Sequence, residues 1–253
     1  MFLPESSRRA ISSLAFVVVA LIFFIQANLA LGAAKLDRLL NGKFYVSDIS
    51  PADDCAMFEL FDQIARTANI PLGFENVQGC GFGRRTIVPN DQRSILAAST
   101  PREAFDEVAA LNRNFRWREI DGMIIVRPAD AWENSANLLN LPARPFQVMN
   151  VDADDALYRV LEAATPRVSY VQSRKQALGS RATPVSVDFS GGSLLRALNA
   201  VVRAKGDAEW RVGYSSGEAA ILIGKLSKLS EPAVGYVSRI VWKTSSLPGP
   251  IAN

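Results

Sequence analysis

Thr100-Pro101-Arg102-Glu103-Ala104-Phe105-Asp106-Glu107-Val108-Ala109-Ala110-Leu111-Asn112-Arg113-Asn114-Phe115-Arg116-Trp117-Arg118 decides the fold, because an ungapped echo of it, Ser193 to Arg211, begins 93 positions later. The copies share a helix cap (Thr100, Ser193), an alanine followed by a large apolar residue (Ala104-Phe105, Ala197-Leu198), a valine (Val108, Val201) and a closing Trp-Arg pair (Trp117-Arg118, Trp210-Arg211). Self-similarity at a fixed offset predicts a duplicated structural unit. Thr100-Pro101-Arg102-Glu103 is a capping box with proline at the first helical position, where its missing N–H costs nothing. Phe105, Val108 and Ala109 face inward, Phe115 to Ile120 is a strand, Asp121-Gly122 is the favoured two-residue hairpin turn, and Met123 to Arg127 returns.

Upstream of this stretch, Lys43 to Ile49 has the aromatic and β-branched bias of a strand, and Ser50-Pro51-Ala52-Asp53 opens a helix. Met57, Leu60, Phe61 and Ile64 recur at helical spacing, and the helix is expected to stop near Asn69, ahead of Ile70-Pro71. Leu72 to Glu75 is a short strand, Asn76 to Asn90 a glycine-rich loop, and Gln92 to Ala97 a third strand. One unit is therefore β-α-β-β-α-β-β.

Downstream, Pro128 to Pro145 breaks into Pro, Asn, Ala and isolated leucines and is read as a linker, with 129–144 between the units. The pattern then restarts. Phe146 to Val151 is a strand, Asp152 a cap, and Leu157, Val160, Leu161 and Ala164 a helical face. Val168 to Val171 is the next strand, Gln172 to Ala182 a basic loop, and Val185, Val187 and Phe189 alternate as a strand. Ser193 caps the last helix, Gly206 lies near its end, and Ala208–Tyr214 and Ala219–Ile223 form a hairpin around a turn at Ser215 to Glu218. The fold class expected is α+β, two tandem β-α-β-β-α-β-β domains at 35–128 and 145–225. The tail, 226–253, includes an extra strand at Tyr236 to Trp242.

The chain has 253 residues, 49% hydrophobic, with a net charge of +3 on 28 basic and 25 acidic side chains. So small an imbalance is not the basic stripe that neutralises phosphates, and it speaks against nucleic-acid binding. Residues 1–34 read as a signal peptide: Arg8-Arg9, an apolar run from Leu14 to Ile25, then small residues up to Ala34. The run falls short of the roughly 20 residues needed to span a bilayer; the rival reading is an uncleaved anchor beginning at Ala10. Export predicts a periplasmic protein.

In an exported chain, Cys55 and Cys80, the two cysteines, are expected to pair. The second strand of a β-α-β unit ends at the edge where its helix begins, and closing that loop contributes about 3 kcal/mol. Histidine is absent, which lowers the prior for catalytic triads and zinc sites. Asp48, Asp53, Asp54, Asp152, Asp154 and Asp155 lie at strand ends or first helical turns, where acids complement the helix dipole. Gly79 to Arg85 lacks the Lys-Ser/Thr of a phosphate loop. Trp117 and Trp210 are read as half-buried strand residues beside solvent-facing arginines. No catalytic, cofactor-binding or metal residues are assigned, and no small-molecule substrate is inferred.

The segments Phe146-Gln147-Val148 before an Asp-capped helix, Val185-Ser186-Val187-Asp188-Phe189 before Ser193 to Leu198, and Trp210-Arg211-Val212 before Ala220 to Ile223 resemble the secretin and TonB N-terminus short domain, STN. The likeness is closer over 146–224 than over 44–127. It implies small sheets packed with helices and a periplasmic domain that contacts other proteins. Family members usually precede an outer-membrane barrel, whereas here about thirty residues follow the second unit, so receptor or pore activity is not carried over. The function expected is non-enzymatic protein–protein interaction in the cell envelope, with a secretin or TonB-dependent component as partner. A sensor contacting an anti-sigma regulator and a carboxylate-based envelope hydrolase are the alternatives. Interaction candidates are what the copies do not share: Arg84, Arg85, Arg174, Lys175, Arg181, Tyr236 and Trp242.

Overall fold

Local signals set most of the elements. In the computed structural model, which describes residues 34–42, 57–78, 98–174, 184–206, 208–215, 218–225 and 238–243, a first helix, α1, covers 34–40 and buries Leu36 and Leu40, one turn apart. Helix α2 (Met57–Ala68) buries Leu60, Phe61, Ile64 and Ala65. It stops as expected at Asn69, whose φ is 54°; the Asn69 amide donates to Arg66 O and the Ile70 amide to Ala65 O, the paired bonds of a Schellman cap. Strand β1 (Leu72–Gln78) follows and runs past the expected end at Glu75. Helix α3 (Pro101–Leu111) carries both bonds of the Thr100–Glu103 capping box. Strands β2 (Phe115–Ile120) and β3 (Met123–Pro128) join through Asp121 and Gly122, both at positive φ, the requirement of a type I′ turn.

The second half runs β4 (Pro142–Ala143), β5 (Phe146–Val151), α4 (Ala153–Ala163), β6 (Val171–Arg174), β7 (Val185–Phe189), β8 (Gly192–Ser193), α5 (Leu194–Lys205), β9 (Ala208–Ser215), β10 (Glu218–Lys225) and β11 (Ser238–Lys243). Asp152 caps α4 by accepting from the Asp155 amide, and Ser193 caps α5 by accepting from the Arg196 amide. Gly206, at φ 86°, ends α5 with its amide bonded to Val202 O. The chain is α+β, with five helices among the described residues.

Among the described residues, seven strands form one mixed sheet in the order β2-β3-β1-β9-β10-β11-β6. Its centre is a parallel pair, β1 with β9, which joins the two halves edge to edge. In the register Gly73 faces Trp210, and a Cβ at Gly73 would overlap the Trp210 indole. Glycine is therefore required at that position for the close approach of the two strands. Each face of the sheet has its own core. On one, Leu72, Phe74, Ile124 and Val126 meet α1, α2 and α3; on the other, Met123, Ile125, Trp210, Val212, Ile221 and Ile223 belong to the core of α4 and α5. The first core is aromatic, with Phe74 within 6.2 Å of Phe58, Phe61 and Phe115 between ring centroids. A separate pair, β5 with β7, covers α4 and α5 from their far side.

Three expectations need correction. Residues 129–144, read as a linker, join the halves as a packed segment: it holds 3-10 turns at Asp130–Trp132 and Leu138–Asn140, and its Trp132, Leu138, Leu139, Leu141 and Ala143 belong to the second core. Their far end is stitched down by Arg144 N to Ala163 O and Thr165 N to Pro142 O, at 2.8 and 2.7 Å. β6 begins at Val171, where the strand was expected to end, and Gln172 to Arg174 are strand rather than loop, paired with β11. Trp210 is fully buried, and Arg211 beside it is ion-paired rather than turned to solvent. Trp117 is half-buried beside exposed Arg118, as expected. The strands at 43–49 and 92–97, the cap at Ser50, and Cys55 and Cys80 lie outside the described residues, as does the apolar run 14–25. Among the described residues no helix is long and apolar enough to cross a membrane.

The Gly73–Trp210 contact is testable by overpacking. Gly73→Ala is expected to lower the unfolding free energy by about 1–3 kcal/mol in urea titrations. Trp210→Leu in the same chain should recover part of that loss.

Candidate functional site

Polar and ionisable groups collect on both faces of the β1–β9 seam. On the face covered by α2, Asp62 and Arg66 come from the helix and Glu209 and Arg211 from β9. Arg66 Nε is 2.8 Å from Asp62, and its guanidinium is 3.8 Å from Glu209. Arg211 pairs with Glu209, lies 3.7 Å from Asp62, and stacks over the Phe58 ring at 3.7 Å. Glu209 is buried, and its Oε2 has no hydrogen-bond partner among the described residues. Burial is the main cause that pushes its carboxyl up to about 7; Asp62 adds to the shift, while Arg211 and Arg66 oppose it.

On the opposite face a second network is closed. Arg127 of β3 and Glu75 of β1 are both buried and directly paired through Arg127 Nε. The remaining nitrogens of Arg127 donate to Asn140 Oδ1 at 2.7 Å and Asn137 Oδ1 at 2.8 Å. Asn137 donates back to Glu75 at 2.6 Å, and the Tyr214 hydroxyl donates to Glu75 at 2.5 Å. Burial first, then the Glu75 carboxylate, push the Tyr214 phenol well above its ordinary pKa. The guanidinium also sits 5.1 Å from the Trp132 ring centroid. Both carboxylate oxygens and all three guanidinium nitrogens are thus committed within the protein, the condition for burying an ion pair without a large penalty. The network holds 129–144 against the sheet.

Between β5 and α4 a cavity of about 600 Å³ is lined by Val148, Val151, Asp155, Tyr158, Arg159, Glu162 and Tyr170. The Tyr158 and Tyr170 rings are 5.7 Å apart, and Arg159 pairs with Glu162 at 2.8 Å. Burial, then Glu162, raise the Tyr170 phenol. Met149 on β5 is 67% exposed. Neither seam network contributes to this lining, so the perturbed Glu209 and Tyr214 do not face the cavity. Among the described residues the outer edges of the large sheet are β2 and β6.

Of the interaction candidates, Arg174 lies on β6 and Trp242 on β11, neighbouring strands that pair from Arg174↔Ser238 to Val171↔Val241. Arg84, Arg85, Lys175, Arg181 and Tyr236 lie outside the described residues. Asp152 is a helix cap and Asp155 lines the cavity; Asp48, Asp53 and Asp54 lie outside the described residues. Among the described residues no cluster of three or more His, Cys, Asp or Glu could hold a metal ion. Sequence reading missed the seam networks and the cavity; the polar signal was Glu75 directly after Leu72-Gly73-Phe74 and Arg127 directly after Met123 to Val126. Comparison with protein-family models, curated proteins and solved structures returns no match to this chain.

Breaking the buried pair should cost far more than replacing it. Arg127→Met alone is expected to lose about 3–5 kcal/mol in chemical denaturation, because Glu75 is left uncompensated. Adding Glu75→Leu should recover part of that loss, and strict additivity would refute the coupling.

Glu209 makes a signed prediction. Between its ordinary value of 4.5 and about 7, the folded chain holds a proton that the unfolded chain releases. Its contribution to stability is therefore fully present below 4.5 and is lost as the pH rises through about 7. Glu209→Gln should flatten the fall in urea midpoint between pH 5 and pH 8; parallel profiles would contradict the assignment.

Proposed function

We propose that the chain is an exported, non-enzymatic module of the cell envelope that acts through protein contacts as a component of a secretin or TonB-dependent assembly. On this proposal it consists of two STN-like units, 35–128 and 145–225, whose sheets have fused. The element order supports the duplication: each half places a Thr- or Ser-capped helix directly before an antiparallel hairpin, α3 before β2–β3 and α5 before β9–β10. The observation that carries the contact role is the large sheet ending on two strands, β2 and β6, unpartnered among the described residues, where a partner's extended segment would gain backbone hydrogen bonds. The ionisable groups of the seam fix the alignment of the two halves, and the edges are what the molecule offers outward.

A photo-crosslinking amino acid at exposed Arg116 and Arg118 on the edge strand β2, with Arg203 on α5 as control, maps the contact. In an envelope extract the edge positions are expected to capture a defined protein that Arg203 does not. The same products from Arg203, or none from the edges, would refute an edge-directed role.

A further inference from the structure

The cavity between β5 and α4 takes part in neither seam network, and its lining combines aromatic, apolar and acidic groups. Its long wall is α4, where Asp155, Tyr158, Arg159 and Glu162 recur at helical spacing and share one face over two turns, about 10 Å. The lining is completed by Val148 and Val151 of β5 and by Tyr170. The Tyr158 and Tyr170 ring centroids are 5.7 Å apart with planes inclined by 33°, too close to admit a group between them, so the pair forms one aromatic wall. Two carboxylates against one guanidinium leave the lining with one net negative charge, and the guanidinium is already engaged: Arg159 holds Glu162 at 2.8 Å. The charge of Arg167 also reaches Tyr170, but its exposed side chain is outside the lining.

A negative lining disfavours phosphates and carboxylates. It does not suit a metal ion either: Asp155 and Glu162 are two turns apart, and among the described residues no cluster of three or more His, Cys, Asp or Glu could hold one. Aromatic faces, carboxylates and an apolar wall share an attraction for an organic cation. The ring quadrupole and the carboxylates act on the charge, and the valines on the alkyl or aryl groups around it. At about 600 Å³ the cavity has the size of a small-molecule site and exceeds what a bare ammonium ion fills, so its ligand carries an apolar body. We propose that the cavity binds a small alkylated ammonium compound, a tertiary or quaternary amine whose charge lies against Tyr170 and Glu162 and whose body lies against Val148 and Val151. Arg159 opposes the cation and, by pairing with Glu162, limits how strongly it is held. Neither β2 nor β6 contributes to the lining, so the site stands apart from the protein-contact reading above.

The test is isothermal titration calorimetry of the full chain with benzyltrimethylammonium, choline, and 3,3-dimethyl-1-butanol, which has choline's shape without its charge. Benzyltrimethylammonium is expected to bind at a single site, and choline to bind roughly tenfold or more tightly than its uncharged isostere. Tyr170→Leu should weaken benzyltrimethylammonium roughly tenfold and Glu162→Gln roughly threefold, whereas Glu133→Gln, at an exposed carboxylate outside the cavity, should leave it unchanged. Arg159→Gln removes the cation of the lining and should tighten binding roughly threefold. The Arg159 and Glu162 side chains are 61% and 41% exposed, so their variants keep the fold, and a gain at Arg159 cannot come from unfolding. No binding of either ammonium compound at millimolar concentration would overturn the proposal, and so would equal affinities for choline and its isostere. Affinity unchanged by both Tyr170→Leu and Glu162→Gln would place the cation outside the cavity and overturn the site. Weaker binding in Arg159→Gln would contradict a guanidinium that opposes the ligand. Maltose binding more tightly than benzyltrimethylammonium would assign the cavity to sugars and overturn the cation.

Discussion

The indole of Trp210 rests where Gly73 has no side chain, and from that contact the two halves become one sheet. β1 and β9 pair in parallel, a geometry that needs both faces covered, and both are: α2 and α3 lie on one side, α4 and α5 on the other. β3 shows the consequence most plainly. All six of its residues are buried, with Met123 and Ile125 in one core and Ile124 and Val126 in the other. A strand serving two cores loses the alternation of a half-exposed strand, which is why Met123 to Val126 is an unbroken apolar run.

The same seam dictates where charge is buried. With Gly73 opposite Trp210, Glu75 falls opposite Val212 and reaches Tyr214 and Arg127 on the face covered by 129–144. A slip of one residue would turn Glu75 into the aromatic core around Phe74 and Phe58, away from its donors. On the other face, Glu209 and Arg211 meet Asp62 and Arg66 only in that register. The networks add little to net stability, since buried pairs roughly balance their desolvation, but they penalise every other alignment of the halves.

What could be read in the sequence was local. The Thr100–Glu103 box, the Asp121-Gly122 turn, the Asp152 and Ser193 caps and the stop at Asn69 each depend on residues within a few positions of one another, and all form as expected. The joint depends on residues far apart. Gly73 looked like an ordinary strand glycine and Trp210 like a repeat of half-buried Trp117, because nothing near either residue tells of the other. Asn137 and Asn140 look like loop residues until Arg127 is beneath them, and the leucines around them count as isolated until the second core is assembled. The α4 cavity was hidden for the same reason: Tyr158 and Tyr170 meet only after α4 has packed.

If the seam makes one folding unit of two halves, the halves must open together. Native-state amide hydrogen exchange on the full chain, following Phe74 and Ile125 in the first half and Trp210 and Ile221 in the second, measures this directly. All four amides are expected to share one opening free energy, equal to that of global unfolding. Two separate values, one for each half, would show two domains that merely touch and would contradict the account.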